Sequence, residues 1–542
     1  MSKLNKTFKI NPLYEADGYK PSHIHMLAPN VSREYWNWIP RSLKYMHPSI
    51  EKVMSAGQQL TWRYIHSNFQ ELFFDQPVEV ALKFGRDIAK YIMMDYDAKH
   101  FAELHQLGYL PVEIKSLPEG MFTKNNIPNM TGINTVDGYA WLGLFLETLI
   151  SKLSWQMPTA ATIGFQFKKN AIEWVKKTDV ENLWLADYMC HDFHSRGGNP
   201  YSSIAVGLGH ALSNSGSDTI NIIPASRYYY DFDEEEVPVN SVNASEHSVT
   251  CTGIFYYERL LKEGKLNHEI EKYYSFDVPC EGSVENPDYL AISEYLNLRD
   301  WLSNFPKGIL SVVSDTFDLW KLITYILPRL KEEIMARDGK LVIRPDSGDP
   351  ADIICGTTPH CSTKTYEDNR QNQHKGVIEL LADIFGYTTN NQGFKVLDSH
   401  IGAIYGDSIN LERQIDIYQR LVEKGFAVTN VVLGVGSYTY IMLTRDSAGY
   451  AIKGNWFETL LEGERTQYNI FKDPITDSGT KKSLKGFQFV YEKDGEIEAE
   501  CEVSEEKYNS EENLLKTIYK DGKFHNQTSL TEIRESISKL LA

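Results

Sequence analysis

The run Leu341-Val342-Ile343-Arg344-Pro345-Asp346-Ser347-Gly348-Asp349-Pro350 stops an apolar segment abruptly at Arg, Asp, Ser and Gly. A short β-branched run that ends this way reads as a buried strand delivering polar groups to one edge of a sheet. Arg344 and Asp346 then face the same side, with Pro345 stiffening the chain between them. A guanidinium offers a planar fork to phosphate, and a carboxylate accepts from ribose hydroxyls or a ring amide. Pro-Asp-Ser-Gly is equally ordinary turn chemistry, so this segment alone decides nothing. A second cluster, His191-Asp192-Phe193-His194-Ser195-Arg196-Gly197-Gly198, puts a carboxylate, an aromatic face and a guanidinium within one turn. Phe193 can stack on a flat ring while Arg196 meets phosphate, or the segment is a strand exit with a buried Phe. In the third, Ser241-Val242-Asn243-Ala244-Ser245-Glu246-His247-Ser248, His247 beside Glu246 suits either a catalyst or a satisfied structural histidine.

These clusters need elements to hold them. From about residue 155 to 440 short apolar strand candidates alternate with amphipathic helix candidates. The strands are 188–192, 219–223, 310–314, 341–344, 401–405 and 430–435; the helices are 163–177, 254–274, 319–334, 376–385 and 411–424. Alternation of this kind implies βαβ units and a parallel sheet. Almost every strand candidate ends in something chemically useful: Asp192, Asp315, Asp346, Asp407, and Gly434 with Gly436. In parallel α/β folds the carboxyl ends of the strands form the site face, so several polar termini together outweigh any single one.

The flanks read differently. Residues 1–154 mix aromatics, short helices and a β-like patch at 110–120, and 441–542 carry alternating segments around Asp494-Gly495 and a second turn at Asp521-Gly522. Ser529-Leu530-Thr531-Glu532 fits a capping box opening a last helix. The expected organisation is α/β: a parallel sheet, closed or open, over 155–440 carrying the site, and a mostly antiparallel β-rich domain built from both termini. Between Pro350 and Gly376 lies a polar insert with Cys355, His360, Cys361 and His374, whose spacing fits a surface loop better than any standard zinc pattern.

The 542 residues are enough for two or three domains. With 73 acidic against 55 basic residues the net charge is −18, which argues against nucleic acid or an anionic membrane as the main partner. Any phosphate site must be a local cluster of Arg and Lys. Six scattered cysteines, no apolar h-region over 1–11 and no bilayer-length apolar run point to a cytoplasmic protein.

Taken together, the motifs resemble the type II phosphoribosyltransferase family and, within it, the nicotinamide phosphoribosyltransferases. The resemblance runs from Glu15-Ala16-Asp17-Gly18-Tyr19-Lys20 to Phe471-Lys472-Asp473-Pro474. It passes through His191-Asp192-Phe193 with Arg196-Gly197, Gly216-Ser217-Asp218-Thr219, Ser245-Glu246-His247-Ser248, Val313-Ser314-Asp315, Ile343 to Gly348, Gly406-Asp407 and Leu443-Thr444-Arg445-Asp446. It implies an irregular β/α barrel with the β-rich domain beside it, and transfer of phosphoribose from phosphoribosyl pyrophosphate to nicotinamide. It also implies a homodimer with shared sites, in which Asp17 and Tyr19 reach the partner's pocket and the pyridine ring lies between Phe193 and Tyr19. By the same carry-over Asp218 accepts from the carboxamide, Arg344 faces ring amide or phosphate, and Asp346 with Asp407 holds the ribose. His247 matches the position that ATP phosphorylates, with Glu246 or another nearby carboxylate to orient it.

Physical chemistry agrees with these roles. Positive charge develops on the ribose as its glycosidic bond breaks, and carboxylates such as Asp315 and Asp346 stabilise it. The leaving pyrophosphate needs Mg²⁺ and fixed cations, for which Arg196, Arg344, Arg41, Arg445 and Lys453 are candidates, the last three from the second subunit. The metal's own ligands are not assigned. A carboxylate at position 218 accepts from an amide and repels nicotinate.

The sequence departs from the family at Gly434-Val435-Gly436-Ser437-Tyr438, where relatives continue with glycines and Tyr438 is expected to narrow the approach to the Gly436 and Ser437 backbone. His194-Ser195 replaces a more usual Gly-Tyr pair, and the insert after Pro350 lengthens a loop near the site. Competing readings are a nicotinate phosphoribosyltransferase, a catalytically silent relative serving as a binding protein, and a barrel hydrolase of nucleotides. The last lacks a metal cluster or nucleophile elbow.

Overall fold

The computed structural model describes residues 8–357, 370–472, 475 and 483–541. Seven parallel strands make the first sheet, in the order Gly216–Ser217, Cys190–Asp192, Val431–Val435, Ile401–Tyr405, Asp338–Arg344, Lys307–Val313 and Asn243–Ala244. Followed along the chain, each strand lies beside the next. The two edge strands meet through an isolated parallel bridge between Gly216 and Asn240, with Ser217 N–H donating to Asn240 O at 3.0 Å. The sheet is therefore a closed, irregular β/α barrel whose last seam is a single bridge.

Helices Pro200–Ala211, Ile222–Tyr230, His247–Lys262, Tyr289–Asn304, Arg370–Phe385 and Leu411–Glu423 make the crossovers. Apolar residues such as Leu341, Ile343, Ile401 and Val431 are fully buried and share one core with Ile323, Leu381 and Leu421 of the surrounding helical shell. Such β-branched runs, covered on both faces, are what a parallel strand requires.

Some elements differ from the sequence expectation. The strand expected at 219–223 is Gly216–Ser217 instead, and Ile222 opens a helix. Asn243–Ala244 is a strand of two exposed residues with no apolar run to announce it. The helix expected at 319–334 is broken into Leu319–Lys321, a π turn over Leu322–Ile326, Leu327–Arg329 and Lys331–Met335. Pro328 has no N–H to give back along that helix, and the register slips at this point.

The second sheet is antiparallel, also seven-stranded, in the order Glu464–Asn469, Ala451–Leu461, Val31–Ile39, Met130–Asn134, Val112–Ser116, Lys516–Lys520 and Lys523–Phe524. Both ends of the chain thus build it. Its core is aromatic: Trp38 stacks on Tyr450 at 4.3 Å between ring centroids, and Trp36, Trp62 and Trp141 are buried with them. The Ser529 capping box forms, with Glu532 N–H donating to Ser529 Oγ at 3.2 Å and Ser529 N–H to Glu532 Oε2 at 2.8 Å, ahead of the last helix, Leu530–Leu541. Among the described residues no helix is long and apolar enough to cross a membrane.

Gly132 lies in the middle of this sheet, opposite Trp36. A Cβ there would stand 2.1 Å from the indole Cζ2. Gly132→Ala should therefore destabilise the protein by about 1–3 kcal/mol through overpacking, measured as a lowered midpoint in chemical denaturation.

Candidate active site

The carboxyl ends of the barrel strands converge on one mouth. Register sets the arrangement: Arg344 lies opposite Val313 in the parallel ladder, Ser314 N–H donates to Arg344 O at 3.0 Å, and Arg344 N–H donates to Ser314 Oγ at 3.2 Å. Immediately beyond, Asp346 N–H and Ser347 Oγ donate to Asp315 Oδ2 at 3.0 and 2.5 Å. One oxygen of Asp315 is thus spent on fixing the Asp346 turn. Among the described residues its other oxygen, Oδ1, is buried without a hydrogen-bond partner and lies 3.7 Å from His247 Nε2.

Arg344 is anchored at one end, its Nη2 donating to Ser245 O at 2.7 Å, while its Nε is buried with no hydrogen bond among the described residues. Asp346 Oδ2 lies 3.9 Å from that Nε. Burial raises the Asp346 carboxyl above its usual range; Arg344 opposes this, and the carboxylates Asp315 and Asp407 reinforce it. Asp407 itself is exposed. The mouth therefore holds a crowded set of acids with an incompletely used guanidinium among them.

Phe193 follows the Cys190–Asp192 strand. A side chain at Gly434 would stand 2.4 Å from its Cε2, and one at Gly406 would stand 2.8 Å from Asp346 Oδ1 and 3.7 Å from the Phe193 ring. These two glycines admit the ring between neighbouring strand ends. Beside it, the His191 ring centroid is 4.8 Å away, and His191 Nε2 is 3.0 Å from Asp218 Oδ1. Ser241 Oγ also donates to Asp218 Oδ1. Burial pushes the Asp218 carboxyl up, but the hydrogen bonds from His191 and Ser241 prevail and hold it below its usual range. Its side chain is 41% exposed, so the carboxylate remains open to a ligand.

His247 is the first residue of the His247–Lys262 helix. Its side chain is half exposed, with Nδ1 3.1 Å from Thr316 Oγ1. Of the candidates to orient it, Glu246 accepts from Ser248, and the other nearby carboxylate that faces the imidazole is Asp315. Arg196, in the turn His194–Gly197, is exposed and makes no ion pair among the described residues. Ser437 Oγ donates to His194 O at 3.0 Å, and a side chain at Gly197 would collide with that hydroxyl at 2.2 Å. At Gly436 a Cβ would meet nothing within 4 Å. Tyr438, expected to narrow this segment, is 49% exposed and has the Arg413 guanidinium 5.9 Å from its ring.

A second set gathers on the antiparallel unit. Asp17 Oδ2 accepts from Thr148 Oγ1 at 2.8 Å, Tyr19 is 61% exposed, and Lys20 pairs with Glu147 at 2.5 Å. Burial holds the Lys453 ammonium below the usual lysine range; Glu147 resists, while Arg41, Lys472 and Arg445 push the same way as burial. Arg41 Nε donates to Gly449 O at 3.0 Å, and among the described residues Arg445 has only its neighbour Asp446 at 3.4 Å as an ion-pair partner. Asp17, Tyr19, Arg41, Arg445 and Lys453 thus form one connected patch, while Asp218, His247, Asp315, Arg344, Asp346 and Asp407 belong to the barrel mouth.

The model of the nicotinate phosphoribosyltransferase (NAPRTase) family matches residues 188–523, which span the barrel and most of the C-terminal strands. The chain belongs to the nicotinate phosphoribosyltransferase family. Among curated relatives, the nicotinamide phosphoribosyltransferase of Acinetobacter baylyi is 34% identical over 550 residues, covering 99% of this chain and 98% of that protein. The Mycoplasma pneumoniae nicotinamide phosphoribosyltransferase is 32% identical over 407 residues, covering 74% and 76%. Among solved structures, human nicotinic acid phosphoribosyltransferase superposes with a TM-score of 0.53 at 14% identity, covering 96% of this chain and 93% of that one. The nicotinate-nucleotide pyrophosphorylase of Pyrococcus furiosus gives 0.51 at 13%, covering 99% and 98%. At these identities the structural likeness speaks for the fold alone.

Within this family member, sequence reasoning left His191, Ser241, Ser245, Thr316 and Ser347 without roles, although each contacts a mouth residue. Their motifs were visible; the contacts depend on which strand lies beside which. Asp192 moves the other way. Placed by sequence among the site-face acids, it is fully buried and accepts from His194 N–H and Nδ1, Ser217 Oγ and Thr219 Oγ1 at 2.9, 2.6, 2.8 and 2.7 Å. Of the insert residues, Cys355 is buried and His374 Nδ1 lies 2.7 Å from Thr357 Oγ1; His360 and Cys361 lie outside the described residues, as do Asp473 and Pro474.

Burial alone would raise the Asp192 carboxyl, but His194, through its hydrogen bond and its charge, drives it well below the usual range. A depressed folded pKa contributes stability that is complete above the unfolded value of about 3.9 and fades as pH falls toward the folded one. Asp192→Asn should cost about 2–4 kcal/mol near neutrality, with the gap to the unmodified protein shrinking in acid, as read by denaturant titrations at several pH values.

Proposed function

We propose that this chain transfers 5-phosphoribose from phosphoribosyl pyrophosphate to nicotinamide, forming nicotinamide mononucleotide and pyrophosphate in NAD salvage. Family membership and the full-length likeness to a nicotinamide phosphoribosyltransferase support the reaction class. The observation that carries the choice of acceptor is Asp218, a carboxylate held ionised by His191 and Ser241 beside Phe193. It accepts from a carboxamide N–H and repels a carboxylate at short range.

The pyridine ring stacks on Phe193 over the floor opened by Gly434 and Gly406. The Arg344 guanidinium donates to the ring's side group or to phosphate, and Asp346 with Asp407 accepts from the ribose hydroxyls. As the bond to pyrophosphate lengthens, the acids around the ribose stabilise its growing positive charge. Arg196 meets phosphate from the barrel side. Asp17, Tyr19, Arg41, Arg445 and Lys453 complete the pocket from a second copy of the chain, an arrangement supported by their gathering in a patch apart from the mouth. Mg²⁺ takes one or two carboxylates and completes its shell with substrate phosphates; at the mouth Asp346 or the exposed Asp407 would hold it, and when bound it would neutralise charge on the departing pyrophosphate. The scattered free thiols suit a reducing cytoplasm.

ATP serves as co-substrate by giving its γ-phosphoryl group to His247: a phosphorus–nitrogen bond forms, the phosphoanhydride bond breaks, and ADP leaves. The half-exposed imidazole beside Asp315 supports this role, with the carboxylate orienting and polarising the ring.

Assays with phosphoribosyl pyrophosphate and each acceptor in parallel should give the higher kcat/KM for nicotinamide, and Asp218→Asn should cut that preference by about tenfold or more, a loss of roughly 1.4 kcal/mol of discrimination. Faster turnover of nicotinate by the unmodified protein would reject the acceptor assignment, and product formation that persists in Asp346→Ala would reject the catalytic one. For ATP, mass spectrometry should find phosphohistidine at His247 and a faster reaction with ATP present. If neither appears, the coupling is wrong while the transferase reading stands.

A further inference from the structure

The helix Ala140–Ser154 is anchored in the aromatic core of the antiparallel unit, where Leu142, Phe145, Leu146 and Leu149 are buried with Trp36 and Trp62. Away from that core Thr148 and Lys152 lie one turn apart on the helix, and Glu147 adjoins them. Segment 15–20 runs along these three residues in the opposite direction. Glu15 pairs with Lys152, Asp17 meets Thr148, and Lys20 pairs with Glu147 at 2.5 Å.

Thr148 holds the middle of this strap. Its hydroxyl accepts from the Asp17 N–H at 3.2 Å and donates to Asp17 Oδ2 at 2.8 Å, so one side chain fixes both the backbone and the carboxylate of Asp17. Gly18 is closed in by Tyr91: a Cβ there would stand 2.4 Å from the Tyr91 ring. Lys20 N–H donates back to Asp17 O at 2.9 Å, which carries the restraint across Tyr19. The Tyr19 ring, 61% exposed, has the Lys20 ammonium 5.5 Å from its centroid and the His23 ring centroid at 5.3 Å. An outward-facing aromatic ring thus stands on a segment tied down on either side of it.

We infer that Thr148 is a positioning residue for acceptor binding: without touching the substrate, it sets the pose in which Asp17 and the Tyr19 ring are offered to the pocket of a second copy of the chain. This rests on the shared pocket proposed above, in which Tyr19 closes on the pyridine ring opposite Phe193. Stacked rings are held over a narrow range of offsets, and a ring ordered in advance loses less freedom when the acceptor binds. The contribution of Thr148 therefore falls on acceptor affinity and leaves the bond-breaking step alone.

Thr148→Val removes the hydroxyl and keeps the branched shape. It should raise KM for nicotinamide about five- to tenfold with kcat changed by less than about twofold, and Thr148→Ser, which keeps the hydroxyl, should show the ordinary KM. The defect should also follow the copy that lends the segment. A mixed dimer of one Thr148→Val chain and one Asp346→Ala chain, isolated through two affinity tags, has one working mouth, served by the intact segment of the other chain, and its KM should be ordinary. An unchanged KM in Thr148→Val, a raised KM in Thr148→Ser, or a KM still raised in the mixed dimer would overturn the inference. Tyr19→Ala separates this from a failure of the shared pocket: if it leaves KM for nicotinamide unchanged, the pocket reading falls and the inference with it, whereas a raised KM there beside an ordinary one in Thr148→Val removes the inference alone.

Discussion

The in-register parallel pairing of Lys307–Val313 with Asp338–Arg344 is the constraint on which the mouth depends. It sets Arg344 against Val313, so the next residues of the two chains, Ser314, Asp315 and Asp346, are locked by hydrogen bonds within about one residue of the strand ends. A slip of one residue would turn Arg344 to the helical shell, where a guanidinium has no acceptor, and send Ile343 to the mouth. Everything proposed for ribose and phosphate rests on that register.

Electrostatics then divides the labour. A chain with net charge −18 has to handle a polyphosphate, yet its mouth is rich in carboxylates. The acids suit a step in which the sugar becomes positive, and other cations stand on the antiparallel unit, where burial and the charges of Arg41, Lys472 and Arg445 hold the Lys453 ammonium below its usual range. Such a cluster is strained alone and relieved by phosphate.

The barrel was legible where strands were long and apolar: Ile401–Tyr405 and Val431–Val435 announce themselves by composition. Asn243–Ala244 did not, because two exposed residues carry no pattern, and Gly216–Ser217 was misplaced because the apolar Ile222 and Ile223 belong to the following helix. Among site residues, Phe193, Arg344 and Asp346 were readable from their motifs. Asp192 was misread because its neighbours in space, Ser217 and Thr219, lie 25 and 27 residues along the chain. The same limit hid Asp315 as the acid beside His247.

The barrel's closing seam is the single bridge between Gly216 and Asn240. Asp218 and Ser241 sit one or two residues beyond the two sides of that seam and bond across it. The carboxylate proposed to tell amide from acid is therefore also held by a clasp across the weakest join of the ring. Altering this pair to change the acceptor therefore also alters how firmly the barrel shuts at its single-bridge seam.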